Sequence, residues 1–94
     1  MNKPTHIRRN MVLKELDIRW LPNGNRNIFS MKYVKKSGEI RFIPQAYACG
    51  LPYDMRSNRQ RGLQPCDCGG NKEGHVLPVG IDRIIMYNNM EVIL

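Results

Sequence analysis

Four of the five Cys and His side chains in this sequence could together form a zinc site. They are Cys49 in "AYACG" and Cys66, Cys68 and His75 in "CDCGGNKEGH". Structural zinc takes thiolate and imidazole ligands in a tetrahedron, and the ligands of one knuckle are normally separated by about two to four residues. Only Asp67 separates Cys66 from Cys68, and Cys49 stands alone among small residues. We therefore predict a glycine-rich loop, and keep a zinc-stabilised domain with these four ligands as the less favoured alternative.

The same residues contain one nucleophile–base pairing, Cys66 or Cys68 with His75 as the base. Nucleophilic catalysis needs the base within hydrogen-bond reach and a third group to orient it. Nothing in the sequence indicates that these residues meet in a pocket. The glycines of "CGGNKEG" do not form a phosphate-binding P-loop, because the strand, the lysine and the Ser/Thr of that motif are missing. We predict that the protein is not an enzyme.

The chain is basic, with 15 Lys and Arg, 8 Asp and Glu, and a formal net charge of +7. Residues 1–47 carry ten basic and three acidic side chains, whereas residues 48–94 carry five of each. A one-sided excess of positive charge favours an anionic partner, with nucleic acid the commonest and an acidic protein surface next. A basic surface that only keeps the protein soluble is the alternative.

We predict a small basic module that binds nucleic acid, either DNA or RNA, through the phosphates of its backbone. Phosphates attract Lys and Arg whatever the base sequence. No recognition helix or RNA-binding sheet motif supports sequence-specific reading. The candidate residues are Arg8, Arg9, Lys32, Lys35, Lys36, Arg41, Arg56, Arg59 and Arg61.

Three aromatic residues, Trp20, Tyr33 and Phe42, lie among these charges in the sequence. Exposed aromatic rings on a sheet can stack nucleic-acid bases. We expect core packing for all three instead, above all for Trp20, which is the one tryptophan of a small domain.

The segment "NIFSMKYVKKSGEIRFIP" predicts a β-hairpin. Alternation places Phe29, Met31 and Tyr33 on one face of its first strand. Gly38 in "KSG" suits the left-handed position of a three-residue loop. The predicted pairs across the hairpin are Lys35–Glu39, Val34–Ile40 and Tyr33–Arg41. Pro44 lacks a backbone donor, so we expect the second strand to end there or to lie at a sheet edge.

We predict an all-β or β-rich α+β fold: a small curled antiparallel sheet, or partly open barrel, of about five strands. One strand is expected over residues 15–21, before the turn "PNGN", with a short helix ahead of it as an alternative. A long basic, Gly-rich loop is predicted after the β-hairpin, and its sequence allows a short helix over about residues 54–61. Residues 1–10 are predicted to be a flexible basic arm, and residues 11–94 a single domain.

The C-terminal segment "IIMYNNMEVIL" predicts a second hairpin, because Asn88 and Asn89 both tolerate positive φ. Its two faces are largely apolar, so it must lie centrally in the core or be covered by another subunit. The alternative function is therefore a structural subunit that self-associates or docks into a larger assembly, such as a virion or a mobile-element component. The interface candidates are Ile84, Ile85, Tyr87, Met90, Val92 and Ile93, with the predicted pairs Tyr87–Met90, Ile85–Val92 and Ile84–Ile93.

The chain of 94 residues is long enough for one core, burying roughly 60–65% of the surface of the unfolded chain. No apolar run reaches the ~18–20 residues that span a bilayer, so no membrane partner is expected. The charged N-terminus is not followed by the apolar stretch of a secretory signal. We therefore expect a cytoplasmic protein whose three cysteines are reduced.

Overall fold

The computed structural model of the protein describes residues 5–51 and 58–94. Within these ranges the chain forms seven β-strands, one α-helix and one 3-10 helix. No helix among them is long and apolar enough to cross a membrane. In chain order the elements are β1 (His6–Arg8), α1 (Arg9–Leu16), β2 (Phe29–Val34), β3 (Ile40–Cys49), β4 (Gln60–Pro65), β5 (Leu77–Gly80), the 3-10 helix (Ile81–Arg83), β6 (Ile84–Tyr87) and β7 (Met90–Ile93).

All seven strands belong to one sheet with the order β1-β7-β6-β2-β3-β4-β5. Every neighbouring pair is antiparallel except β1 and β7, which are parallel. The prediction of a small β-rich α+β domain is confirmed. The sheet has seven strands rather than about five, and it is open rather than a closed barrel, since β1 and β5 form its two edges.

The sheet curls between β5 and β6. These strands are four positions apart in the sheet order, a separation of about 19 Å in a flat sheet. The chain nevertheless passes from Gly80 to Ile84 through the 3-10 helix, and four residue steps reach at most about 14 Å. The connection therefore brings the ends of β5 and β2 towards each other, and Arg83 Nη1 donates to the carbonyl oxygen of Lys35 at 3.0 Å.

The predicted β2–β3 hairpin is confirmed in both its turn and its register. Tyr33 pairs with Arg41 and Val34 with Ile40. The Lys35 amide donates to the carbonyl oxygen of Glu39 at 2.8 Å, and Gly38 has a φ of 91°. The alternation on β2 is also as predicted, since Phe29, Met31 and Tyr33 are buried while the residues between them are half-buried.

The prediction that the strand ends at Pro44 is wrong, because β3 runs through it as far as Cys49. The alternative of a sheet edge holds locally, because this part of β3 pairs with β2 alone. The β2–β3 register shifts between the pairs Phe29–Ala46 and Met31–Ile43, so Pro44 lies in an irregular stretch of the ladder. Pairing with β4 begins only at Ala46. A β-bulge is one of the few places where a sheet accepts a residue that lacks a backbone donor.

The C-terminal hairpin forms with the predicted turn. Asn88 and Asn89 have φ values of 48° and 64°, and Tyr87 pairs with Met90. The adjacent pair, Met86 with Glu91, keeps the predicted register. The predicted pairs Ile85–Val92 and Ile84–Ile93 lie further along that register, beyond the two residue pairs of the β6–β7 ladder, and stay predictions.

The core lies between α1 and the face of the sheet that carries Phe29, Met31 and Tyr33. Val12 and Leu16 are one helical turn apart and are 0% and 1% exposed, so α1 buries one stripe in the core. The other buried members of the core are Phe29, Met31, Tyr33, Ile43, Ala46, Ala48, Leu63, Val79, Ile84 and Tyr87. The expected strand over residues 15–21 is wrong, because the helix extends to Leu16 and only Trp20 forms an isolated β-bridge, with Arg26. The alternative of a short helix in this region is confirmed. Burial of the Val12–Leu16 stripe outweighs the local alternation.

Two further predicted segments lie partly outside the described residues. Residues 54–57 of the predicted helix at 54–61 are not described, and Gln60 and Arg61 begin β4 instead. Gly62 lets β4 approach β3 closely, since a Cβ there would lie 2.6 Å from the carbonyl oxygen of Cys49. From the predicted arm at residues 1–10, the described part forms β1 and the first turn of α1. Its flexibility stays a prediction.

Candidate functional site

The stretch "CDCGGNK" is a turn organised by the Asp67 carboxylate. Asp67 Oδ1 accepts hydrogen bonds from the amides of Gly69 and Asn71, both at 2.9 Å, and the Asn71 side-chain amide donates to Oδ2 at 3.1 Å. These hydrogen bonds hold the pKa of Asp67 below its ordinary value. Cys66 and Lys72 form a β-bridge that closes the turn. The local hydrogen bonding therefore explains this glycine-rich segment.

The four candidate zinc ligands differ in their surroundings. Cys66 is buried and Cys49 half-buried, and burial raises the pKa of both thiols. Cys68 and His75 are exposed. Within residues 5–51 and 58–94, no group of three or more His, Cys, Asp and Glu side chains is placed to hold a metal ion.

Basic side chains meet around a cavity of about 540 Å³, here named the basic cleft. It lies where the β2–β3 hairpin faces the start of β4, the end of β5 and the 3-10 helix. The buried ring of Tyr33 and the side chains of Leu77 and Pro78 form its apolar part. Its basic residues are Lys35, Lys36, Arg41, Arg59 and Arg83.

The carboxylate of Asp82 also lines the basic cleft. Arg59 binds it through two hydrogen bonds of 2.9 Å, from Nε to Oδ2 and from Nη2 to Oδ1. Arg9 donates from Nη1 to Oδ1 at 2.8 Å. The Arg59 hydrogen bonds, with the charges of Arg59 and Arg9, hold the pKa of Asp82 below its ordinary value. The same hydrogen bonds and the negative charge of Asp82 raise the pKa of Arg59. Asp82 therefore fastens the start of α1 and the start of β4 to the rim of the basic cleft.

The other cations of the basic cleft have few acidic partners among residues 5–51 and 58–94. Lys35 forms an ion pair with Glu39, with 3.8 Å between Nζ and Oε2. Lys36, Arg41 and Arg83 form no ion pair with any described residue. The described lining of the basic cleft therefore contains five cations and one carboxylate, which is an excess of positive charge.

The structure brings together some of the predicted nucleic-acid-binding residues and separates others. Lys35, Lys36, Arg41 and Arg59 line the basic cleft. Arg8 and Arg9 line an adjoining hollow of about 400 Å³ that shares Arg59 with it. Lys32 alternates with the buried residues of β2, so it projects from the opposite face of the sheet. Arg56 lies outside the described residues.

Arg61 lies apart from the basic cleft, in a hollow of about 200 Å³ beside Asp17 and Arg19 at the end of α1. It is half-buried, and its Nη1 donates to the carbonyl oxygen of Gln60 at 3.4 Å. Its buried Nε has no hydrogen-bond partner among the residues that the structure describes.

The expectation that all three aromatic residues pack in the core is correct only for Tyr33, which is 4% exposed. Trp20 is 57% exposed, and Phe42 is 54% exposed on the face of β3 opposite the core. The guanidinium of Arg26 lies between Trp20 and Tyr47, 4.4 Å and 4.2 Å from the two ring centroids. Trp20 therefore packs on a cation at the surface instead of on apolar core residues.

Most of the predicted interface residues of the C-terminal hairpin pack in or against the core of the protein. Ile84 and Tyr87 are buried in the core, and Met90 and Val92 pack against it. The Tyr87 hydroxyl donates to Glu15 Oε2 at 3.3 Å, and burial raises the pKa of this phenol. Ile85 is half-buried, Ile93 is 41% exposed, and β1 pairs along β7. Assembly through this hairpin stays a prediction.

Sequence reasoning missed Arg83, which lies in the electrically neutral second half of the chain. No local signal in "GIDRII" points to it, because it reaches the basic cleft only through the crossing from β5 to β6. The residues of the basic cleft therefore come from both halves of the chain.

Comparisons of this chain with protein-family models, with curated proteins and with solved structures find no match.

Proposed function

We propose that the protein binds nucleic acid through phosphates of the polynucleotide backbone, which lie in the basic cleft. The observation that supports this most is the convergence of five Lys and Arg side chains on one cavity, whose described lining includes one carboxylate. Clefts lined by charge of one sign concentrate oppositely charged ligands and speed their association. A polyanion gains further because each neutralised phosphate releases condensed counterions.

The two kinds of cation in the basic cleft have different roles in this proposal. Arg59 is held by Asp82, so it contributes a fixed charge at the rim. Lys36 and Arg41 are exposed and form no ion pair with a described residue, so they can bind phosphate without breaking an existing contact. Contacts of this kind do not depend on base identity. We therefore propose binding without strong sequence specificity and without catalysis.

The test is a salt titration of binding to mixed-sequence DNA and RNA, comparing two charge-matched double variants. Lys36→Gln/Arg41→Gln removes two charges from the basic cleft. Lys14→Gln/Lys72→Gln removes two exposed charges that do not line it. Both variants lower the net charge of the protein by the same amount.

We expect the logarithm of the association constant to fall linearly with the logarithm of salt concentration. The slope becomes shallower by about 0.9 per lost phosphate contact on duplex DNA and by about 0.7 on a single strand. For two lost contacts, the slope of the basic-cleft variant should therefore be shallower than that of the wild type by about 1.4 to 1.8. The Lys14/Lys72 variant should keep the slope of the wild type. Equal losses in the two variants, or no salt-dependent binding by the wild type, contradict the proposal.

A further inference from the structure

The face of the sheet opposite the core carries an exposed aromatic ring in a row with a cation. Phe42 on β3 pairs with Lys32 on β2, and Lys32 pairs with Met86 on β6. Cross-strand partners on one face have Cβ atoms about 4.5–5.5 Å apart, so the three side chains are direct neighbours. Within the described ranges of the chain, no aromatic ring or guanidinium stacks on Phe42.

The surface around Phe42 is concave and carries polar groups. A hollow of about 370 Å³ lies on one side of the ring, lined by Phe42, Lys32 and Met86 together with Ser30 and Asn89. Its size falls within the range of about 300–1,000 Å³ typical of small-molecule sites. It therefore offers an apolar ring, a cation and neutral hydrogen-bonding groups in one place.

The surface around Phe42 adjoins the basic cleft at the neighbouring residue, Arg41. Arg41 pairs with Tyr33 on the core-facing side and lines the basic cleft. It also lines a hollow of about 200 Å³ that touches Phe42 and Pro44 and has Glu73 on its far side from β2. A chain of phosphates held in the basic cleft can thus pass Arg41 and reach the Phe42 ring at the start of β3.

We infer that Phe42 is a base-stacking position and that the partner is single-stranded nucleic acid, an inference that rests on the proposed function. A base stacks on an exposed ring whatever its identity, because every base has a π-face. The bases of a duplex are already paired and stacked on each other, so they do not offer that face to the ring. The ammonium group of Lys32, beside the ring, then neutralises the charge of a phosphate next to the stacked base.

Charge complementarity selects this occupant over an apolar protein surface. The ring is flanked by Lys32 within its row and by Arg41 along its strand. Lys32 forms no ion pair with the part of the chain that the structure describes, so an apolar protein partner would bury its charge without a counterion. Burial of an unpaired charge is costly. A polyanion neutralises both cations instead.

Three probes of equal length test the inference: an oligothymidine, an abasic single strand and a duplex. The wild type should bind the oligothymidine roughly 5- to 150-fold more tightly than the abasic strand, which corresponds to one stacked base. Phe42→Ala should abolish that advantage and leave the affinity for the abasic strand unchanged. Phe42→Tyr keeps a ring and should retain the advantage. Ile40→Ala is the matched control, because Ile40 is 59% exposed on the same strand and the same face.

The outcomes separate this inference from the proposed function. If no probe binds in a salt-dependent manner, the proposed function fails. If all three probes bind equally and binding depends on Lys36 and Arg41, only the single-strand inference fails. If Phe42→Ala leaves oligothymidine affinity unchanged but reduces the mass of the protein in solution, the ring contacts a second copy of the chain and the inference is overturned.

Discussion

The stack of Trp20, Arg26 and Tyr47 gives the most quantitative test of the structure. The Arg26 guanidinium lies 4.4 Å from the centroid of Trp20 and 4.2 Å from that of Tyr47. It also lies after the "PNGN" turn, and Trp20 and Arg26 form a β-bridge across that turn. Arg26 thus fastens the segment between α1 and β2 to the sheet. We expect Arg26→Ala to loosen this segment and to destabilise the whole domain.

The size of the effect follows from the exposure of the two rings. Trp20 is 57% exposed, and a cation–π contact at an exposed site contributes about 0.5–1 kcal/mol. Tyr47 is 4% exposed, and a desolvated contact contributes about 2 kcal/mol. One cation shared by two rings contributes less than the sum of about 2.5–3 kcal/mol, so we expect a loss of about 1.5–2.5 kcal/mol in the free energy of unfolding. For a domain of this size each 1 kcal/mol lowers Tm by about 4–8 °C.

The assay is urea unfolding followed by tryptophan fluorescence and circular dichroism, since Trp20 is the one tryptophan of the chain. Arg26→Lys keeps the charge but loses the planar stacking group, so its loss should be intermediate. Arg19→Ala removes one charge from an exposed position in the same segment and is the matched control. The reasoning is refuted if Arg26→Ala destabilises the protein no more than Arg19→Ala does.

Three further changes test the core, the acidic groups and the thiols. Leu16→Ala should cost about 2–5 kcal/mol in urea unfolding, because Leu16 is 1% exposed and the helix cannot fill the space it leaves. The carboxyl groups of Asp67 and Asp82 have pKa values below those of the unfolded chain, so their stabilising contribution is present at neutral pH. This contribution is lost as pH falls below the ordinary value of about 3.9, and Asp82→Asn should show a smaller loss of stability in urea unfolding between pH 5 and pH 3 than the wild type. A thiol reagent should modify exposed Cys68 first and buried Cys66 last, and Cys68→Ser should remove the fast phase. A fast phase that survives in Cys68→Ser contradicts that placement.

The β2–β3 hairpin was predictable because all its signals are local. The "KSG" loop, the alternation on β2 and the pairing of Lys35 with Glu39 fall within a few residues of one another. The C-terminal turn at Asn88 and Asn89 was predictable for the same reason. Two residues that both tolerate positive φ specify such a turn without help from the rest of the chain.

The placement of Trp20 and of α1 depends on contacts that no short window contains. Local alternation around Leu16 suggests a strand, but Leu16 belongs to a helix whose apolar stripe is buried against the sheet. Trp20 remains at the surface because Arg26 and Tyr47 provide a stacking partner and a support for it. Sequence position alone does not show which cation will meet which ring.

The candidate site was predictable in part. Lys35, Lys36 and Arg41 could be grouped because they belong to one hairpin. Arg59 and Arg83 join them only because the sheet curls and the chain crosses from β5 to β6. That crossing depends on the order of all the strands, which the sequence pattern does not specify. The charge difference between the two halves of the chain therefore pointed to an anionic partner but not to the composition of the basic cleft.

The most direct test of the account is an NMR titration of isotope-labelled protein with a single-stranded oligonucleotide at low salt. We expect the largest chemical-shift changes at the backbone amides of Lys36, Arg41 and Arg83, which line the basic cleft. The amides of Lys14 and Lys72, which lie away from it, should change little. Changes spread evenly over the surface, or centred on Lys14 or Lys72, contradict the claim that the basic cleft binds the phosphate backbone.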